Sequence, residues 1–489
     1  MRRGAGALAA FAIGWMAGCN FAPVGPNYIR PDIPAPPAFR EVPPPAEGWK
    51  AGQPRDDAQR GNWWEIYGDP LLNSLEEQVA INNQNVRAAA ANYRAAVQAV
   101  QVARAGLYPV VSGGGAVTGA QQSANRFGGT FVVSNPLYDI QLPISATWEP
   151  DVWGQIRKTI EQNVANAQAT VADLENALLS LRSQLAILYF EVQGLDAQQQ
   201  ILASAVAAYE QALQLTTNRF NQGVASQVDV AQAQTQLETA RAQQTETQVL
   251  RAQYEHAIAV LIGKAPAEFR LERHPLTLQP PPTPAGLPSE LLERRPDIAA
   301  AERRVAAANA QIGIAETAFY PTVTLAATFG IESSNIAKLF TWPSRFWSVG
   351  PTLAQTLWEA GRRRAVTEEA QAAYDANAAA YRQTVLTAFQ QVEDDLSTLR
   401  LLDIESGEQG RAVEAAQRSL NLANIRYTGG ITTYLEVITA QNALLSSQQI
   451  AEQLLTRRMV ASVSLVRDIG GGWNAALDLP AAEAIQAVR

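Results

Sequence analysis

One cysteine and two histidines are all that 489 residues provide of the commonest metal-binding and nucleophilic side chains. A single thiol, Cys19, excludes a disulfide within the chain. With it go the Cys/His sets that hold zinc. Neither His256 nor His274 has a convincing catalytic partner in the sequence. Gly113-Gly114-Gly115 lacks the Lys-Ser/Thr that completes a phosphate-cradling loop. The three methionines give no sign of a copper or silver path. Basic charge is also short: 38 Lys and Arg stand against 46 Asp and Glu, a net −8, which argues against a nucleic-acid partner. Past the N-terminus no stretch approaches ~18 consecutive apolar residues, so no helix is expected to cross a bilayer. A chain of this kind can cross one only with strands closed into a barrel. The expectation is a protein without catalytic activity, metal or cofactor.

The N-terminus carries an address. Arg2 and Arg3 precede an apolar run from Gly4 to Met16, then Ala17, Gly18 and Cys19, the layout of an export signal. A sole cysteine after Ala-Gly resembles the bacterial lipobox, although Met16 stands where leucine is usual. That resemblance implies diacylglycerol on Cys19. Asn20, rather than Asp, follows it and favours the outer membrane.

Two halves of the chain repeat each other. Arg219-Phe220, Gly223-Val224, Asp229-Val230, Ala233-Gln234 and Leu237 recur as Arg426-Tyr427, Gly430-Ile431, Glu436-Val437, Ala440-Gln441 and Leu444, every pair 207 positions apart. Gly106-Leu107-Tyr108-Pro109 likewise answers Ala318-Phe319-Tyr320-Pro321. Each half reads as helix, strand pair, long helix, sharp turn and long helix. A first helix is expected from about Leu72 to Ala105. Proline-free helices follow over about Gln155–Asn221 and Arg362–Tyr427, each ~100 Å long at ~1.5 Å per residue. The expected organisation is a signal at 1–18, a proline-rich extended arm at 19–62, a first repeat at 63–264, a proline-rich linker at 265–290, a second repeat at 291–473 and a tail at 474–489.

The strands alternate. Tyr138, Ile140, Leu142, Ile144, Ala146 and Trp148 are interleaved with Asp139, Gln141, Pro143, Ser145, Thr147 and Glu149, and Phe319 to Glu332 behaves alike. With a third run at 346–358 and a glycine-rich fourth at 107–118, they suit a membrane barrel with one face to lipid and one to a lumen. A soluble half-buried hairpin would show the same alternation. Four strands cannot close a barrel, so subunits must share one. Two copies would give a lumen filled by side chains; three would leave a bore.

Val24-Gly25-Pro26-Asn27-Tyr28, Trp63-Trp64, Asp69-Pro70, the block Leu291 to Ile298 through Glu302, Ala308 and Ile312-Gly313, and Gly470-Gly471-Gly472-Trp473 together resemble the TolC-like outer-membrane efflux lipoproteins. The likeness spans nearly the whole mature chain. It implies a mainly α fold with a membrane β-barrel: a homotrimer sharing twelve strands above an α-helical tunnel. It also implies a periplasmic adaptor and an inner-membrane pump as partners. Alternatives are a duct for type I protein secretion or a non-conducting coiled-coil tether.

The tunnel's far tip is expected at the turns around Gly223 and Gly429-Gly430. Ser226 with Asp229, and Thr433 with Glu436, have the spacing of capping boxes. Ringed by symmetry, Asp229 and Glu436 would also attract cations. In relatives the second turn supplies a leucine ring and, four residues on, an aspartate ring. Leu435 matches the first, whereas Thr439 stands at the second. Leu435 is therefore the expected apolar constriction, with Glu436 mainly a cap.

Overall fold

The computed structural model describes residues 22–34, 36–41, 62–121, 137–281 and 294–471. A short 3-10 turn, Trp63–Tyr67, leads into helices α1 (Pro70–Asn82) and α2 (Gln84–Ala105). Strands β1 (Val110–Gly113), β2 (Ala116–Ala120) and β3 (Leu137–Trp148) follow, then the hairpin of α3 (Gln155–Asn221) and α4 (Gln227–Leu261). The second half gives α5 (Pro296–Thr317), β4 (Thr322–Ser333), β5 (Arg345–Ala354), α6 (Arg362–Thr428) and α7 (Tyr434–Asp468). The long hairpins match in length: α3 and α6 have 67 residues each, α4 and α7 35 each.

Local chemistry sets these limits. α3 and α6 start after Gly154 and Gly361, whose φ of +84° and +85° only glycine adopts freely. The Asp151 carboxylate then accepts from the Ile156 and Arg157 amides at 2.9 and 3.0 Å, an anion at a helix N-terminus. The single helix expected over Leu72–Ala105 is instead two. Asn83 is extended (φ −64°, ψ 127°), and its side-chain oxygen accepts from the amides of Asn85 and Val86 to start α2. Its amide nitrogen donates to the Leu261 carbonyl at 2.8 Å, so a tertiary contact holds the break.

The strand expected at 107–118 also needs correction. It begins at Val110 and divides into β1 and β2, yet both keep one register on β3: Gly113 faces Ile144 and Ala116 faces Gln141. The gap falls opposite Pro143, which has no N–H to give. The last strand ends at Ala354, short of the expected 358, and its partner runs Thr322–Ser333. The sheet is antiparallel, ordered β1/β2, β3, β4, β5.

The main core lies midway along the long helices. Trp63, Trp64, Tyr67, Leu72 and Val79 pack on Leu185, Tyr189 and Phe190 of α3, Ile258 of α4, and Met459 and Val463 of α7. Elsewhere small residues bring helices close, as at Ala172 with Ala299 and Ala300. A Cβ on Gly194 of α3 would lie 2.1 Å from the Thr456 hydroxyl of α7.

Residues 22–34 and 36–41 contain no helix or strand and form an extended strap. The Val24 amide donates to the Trp153 carbonyl at 3.0 Å, and Lys158 and Asn309 both donate to the Pro26 carbonyl at 3.2 Å. Tyr28 donates to Glu302, and Arg30 donates to the Tyr381 hydroxyl at 3.1 Å. Phe39 is buried among Val392 and Leu396 of α6, Leu465 of α7 and Ile469 just after it.

Candidate functional site: a two-faced sheet and a helical tip

Residues directly opposite in antiparallel strands share a face. The registers therefore align Leu142, Ile331 and Arg345; Ile144, Phe329 and Trp347; Ala146, Ala327 and Val349; and Trp148, Leu325 and Pro351. One face is apolar almost throughout. The other carries Gln141, Ser145, Thr147, Thr324, Thr328, Ser348 and Thr352, and among the described strands its charges, Asp139 and Glu332, are acidic. On that face the Phe346 ring covers Gly330, where a Cβ would stand 2.8 Å from it.

Among the described residues nothing covers the apolar face. Ile144 is 56% exposed, Phe329 55% and Trp347 73%. Aromatics mark both ends of the band. Toward the helices, Trp153 stacks on Tyr320 at 4.8 Å and donates to the Pro321 carbonyl at 2.6 Å. At the opposite end the Arg345 guanidinium lies 3.7 Å from the Trp342 ring centre. Among the described strands, β1/β2 and β5 pair on one side only, leaving two open edges.

The far tip holds every described residue singled out for it. Gly223 and Gly430 adopt φ of +74° and +72°, which places the turn at equivalent points of both halves. Gly429 stays right-handed, with φ −75°. Ser226 and Asp229 form the expected capping box. Thr433 and Glu436 do not, because the Thr433 side chain makes no capping bond. Glu436 instead faces the Arg426 guanidinium at 3.6 Å. Leu435 is 56% exposed at the start of α7, and the Thr439 hydroxyl donates back to its carbonyl at 2.9 Å. Cys19 lies outside the described residues.

A contact between the hairpins is what the sequence did not reveal. The Arg219 guanidinium lies 4.5 Å from the Tyr427 ring centre and donates to the Tyr427 carbonyl at 3.2 Å. Tyr427 packs on Tyr434 with ring centres 5.3 Å apart, over Ala233, Ala423 and Val437. Burial, with Tyr427 and Tyr209 nearby, pushes the Tyr434 hydroxyl up to about 12, so it stays neutral. Farther up, Gln236 donates to Asn442. The Arg219/Arg426 repeat was the only signal available, and it carried no direction.

The sequence profile of the outer membrane efflux proteins matches residues 75–264 and 287–471. The chain belongs to the outer membrane efflux protein family. It is 32% identical to the probable efflux pump outer membrane protein TtgC of Pseudomonas putida over 96% of this chain and 95% of that one. With the pyoverdine export outer membrane protein OpmQ of Pseudomonas aeruginosa it shares 33% identity, over 84% of this chain and 87% of the other. A solved structure of the outer-membrane channel OprN superposes with a TM-score of 0.83 at 30% identity, covering 92% of this chain and 99% of OprN. This efflux protein is thus an outer-membrane channel component, and its two-faced sheet and long helices are the family's architecture.

Proposed function

We propose that three copies of this efflux protein close one twelve-stranded barrel in the outer membrane and continue it as a helical tunnel into the periplasm. The observation that carries this is the pairing of an uncovered apolar face with two open strand edges. Lipid tolerates neither an unpaired edge nor a polar outer face, and copies joined edge to edge remove both problems. Three copies leave room for a bore, whereas two would fill it with side chains.

The strap supports a lipid anchor on Cys19. Pro23 packs against Gly154, at the helix end of the sheet. Four residues of fully extended chain reach ~14 Å, enough to bring Cys19 to a membrane surface at that level. The tip, ~100 Å away along α3 and α6, then lies deep in the periplasm, within reach of an adaptor and an inner-membrane pump. Relatives named for toluene, antibiotic and pyoverdine export favour small molecules as cargo, passing through a duct that does no chemistry. Leu435 narrows the tip, and the Arg219–Tyr427 lock holds it closed.

Native mass spectrometry of the full-length protein extracted from membranes is the test. Three chains, each with diacylglycerol on Cys19, are expected. A single chain, or a free N-terminus away from Cys19 in membrane-inserted protein, would overturn the proposal.

A further inference from the structure

We infer that the second hairpin bends at a built-in hinge, Gly407 and Gly410 of α6 beside Ser446 and Ser447 of α7. This rests on the reading of the tip as a gate and adds where the moving part begins.

Both glycines are in the interior of a 67-residue helix, where glycine weakens the helix relative to alanine. Packing within the chain does not require them: a Cβ at either would meet no atom of the same chain within 4 Å. Both are exposed. The equivalent positions of α3, 207 residues earlier, are Gln200 and Ala203. The interior glycine of α3, Gly194, is instead required by its close packing on Thr456, so the unpacked glycine pair is confined to one hairpin. α7 is weakened at the same height. The Gln409 side chain donates to the Ser447 carbonyl at 2.9 Å, which sets Ser446-Ser447 level with the glycines. Gly/Ser pairs are among the few sites at which long helices kink. Their counterparts in α4 are Thr239 and Ala240.

The contacts on either side fit a pivot. Above it α6 is held fast. Glu41 of the strap pairs with Arg400 at 2.6 Å, Phe39 is wedged against α6 and α7, and Asp403 pairs with Arg458 at 2.7 Å. Below it the hairpin runs ~30 Å to the tip. There its tie to the first hairpin includes the Arg219–Tyr427 contact and the Gln236–Asn442 bond. Over that length a bend of roughly 10° carries each tip ~5 Å sideways. Opening therefore needs the lock released and the two weak helix segments flexed, while the main core and the strap stay in place.

The test uses lipidated, full-length protein in planar bilayers. Arg219→Ala releases the lock and is expected to raise open-channel events; Leu435→Ala widens the constriction without any bend. Adding Gly407→Ala and Gly410→Ala together should cut the Arg219→Ala openings about tenfold and leave the Leu435→Ala conductance unchanged. Equal opening with and without the alanines overturns the hinge. Loss of assembly in the double alanine variant also overturns it, since the glycines would then serve contact between copies. If neither Arg219→Ala nor Leu435→Ala raises conductance, the gate reading itself fails.

Discussion

Gly25 of the strap lies against Gly313 of α5 so closely that a Cβ on Gly25 would come within 2.4 Å of the Gly313 Cα. Gly25 also has φ +103°, which a residue with a Cβ rarely adopts. Two sequence blocks almost three hundred residues apart thus meet at one point, and Tyr28 reaching Glu302 repeats the contact lower down. Gly25→Ala combines backbone strain with overpacking, at about 2 kcal/mol or more. Thermal melting should show the loss, and limited proteolysis should cut the strap faster than in the unaltered protein.

The two faces of the sheet make a sharper prediction. Leu142 and Leu325 lie on the apolar face, and Thr324 lies on the other. Arginine at Leu142 or Leu325 should cost roughly 2–4 kcal/mol near the bilayer centre. Arginine at Thr324 should cost much less. Urea unfolding from bilayers measures both; equal costs would place neither face in lipid.

An ion cluster centred on Arg251 helps to pin the linker. Arg251 donates to Asp196 at 2.6 Å, to Glu255 at 2.7 Å and to the Leu271 carbonyl at 2.9 Å. Asp196 in turn accepts from the His274 amide at 3.1 Å. Removing Arg251 leaves two largely buried carboxylates facing each other, so Arg251→Ala should destabilise by about 3–5 kcal/mol. Arg251→Met together with Asp196→Leu and Glu255→Gln should recover most of that in the same unfolding assay.

A carboxyl pair sets a pH dependence. Burial, with Asp468 alongside, pushes Asp395 of α6 up to about 8. Arg467 acts against the shift, and Asp394 adds to it. The folded protein therefore keeps a proton that the unfolded chain gives up near the usual 3.8, so this group's contribution to stability falls as pH rises from about 4 to about 8. Melting temperature should decline from pH 5.5 to 8.5, and Asp395→Asn should flatten that decline. A parallel decline in the variant would assign it to other groups.

Long-range periodicity was the most legible part of this chain. α3 fell where proline-free sequence ran between Gly154 and Gly223, and the 207-residue repeat located its twin and both tip turns. What escaped were choices made by tertiary contacts. The break at Asn83 is invisible because helix-forming residues continue past it; the contact with the Leu261 carbonyl decides the matter. Thr433 and Ser226 look alike in sequence, yet Arg426 draws Glu436 away from the cap, whereas Asp229 remains with Ser226. The Arg219–Tyr427 lock joins residues of two different repeats, and no local pattern encodes such a pair.

Single-channel conductance across a planar bilayer tests the duct and its gate together. Leu435 is exposed in the first turn of α7, while Glu436 is already paired with Arg426 on the surface. Such surface pairs are worth little. Leu435→Ala should therefore raise the conductance of the closed channel several-fold, and Glu436→Gln should leave it nearly unchanged. An unchanged conductance for Leu435→Ala beside a large rise for Glu436→Gln would make the acidic ring, not the leucine, the gate. No conductance from any form would contradict the duct itself.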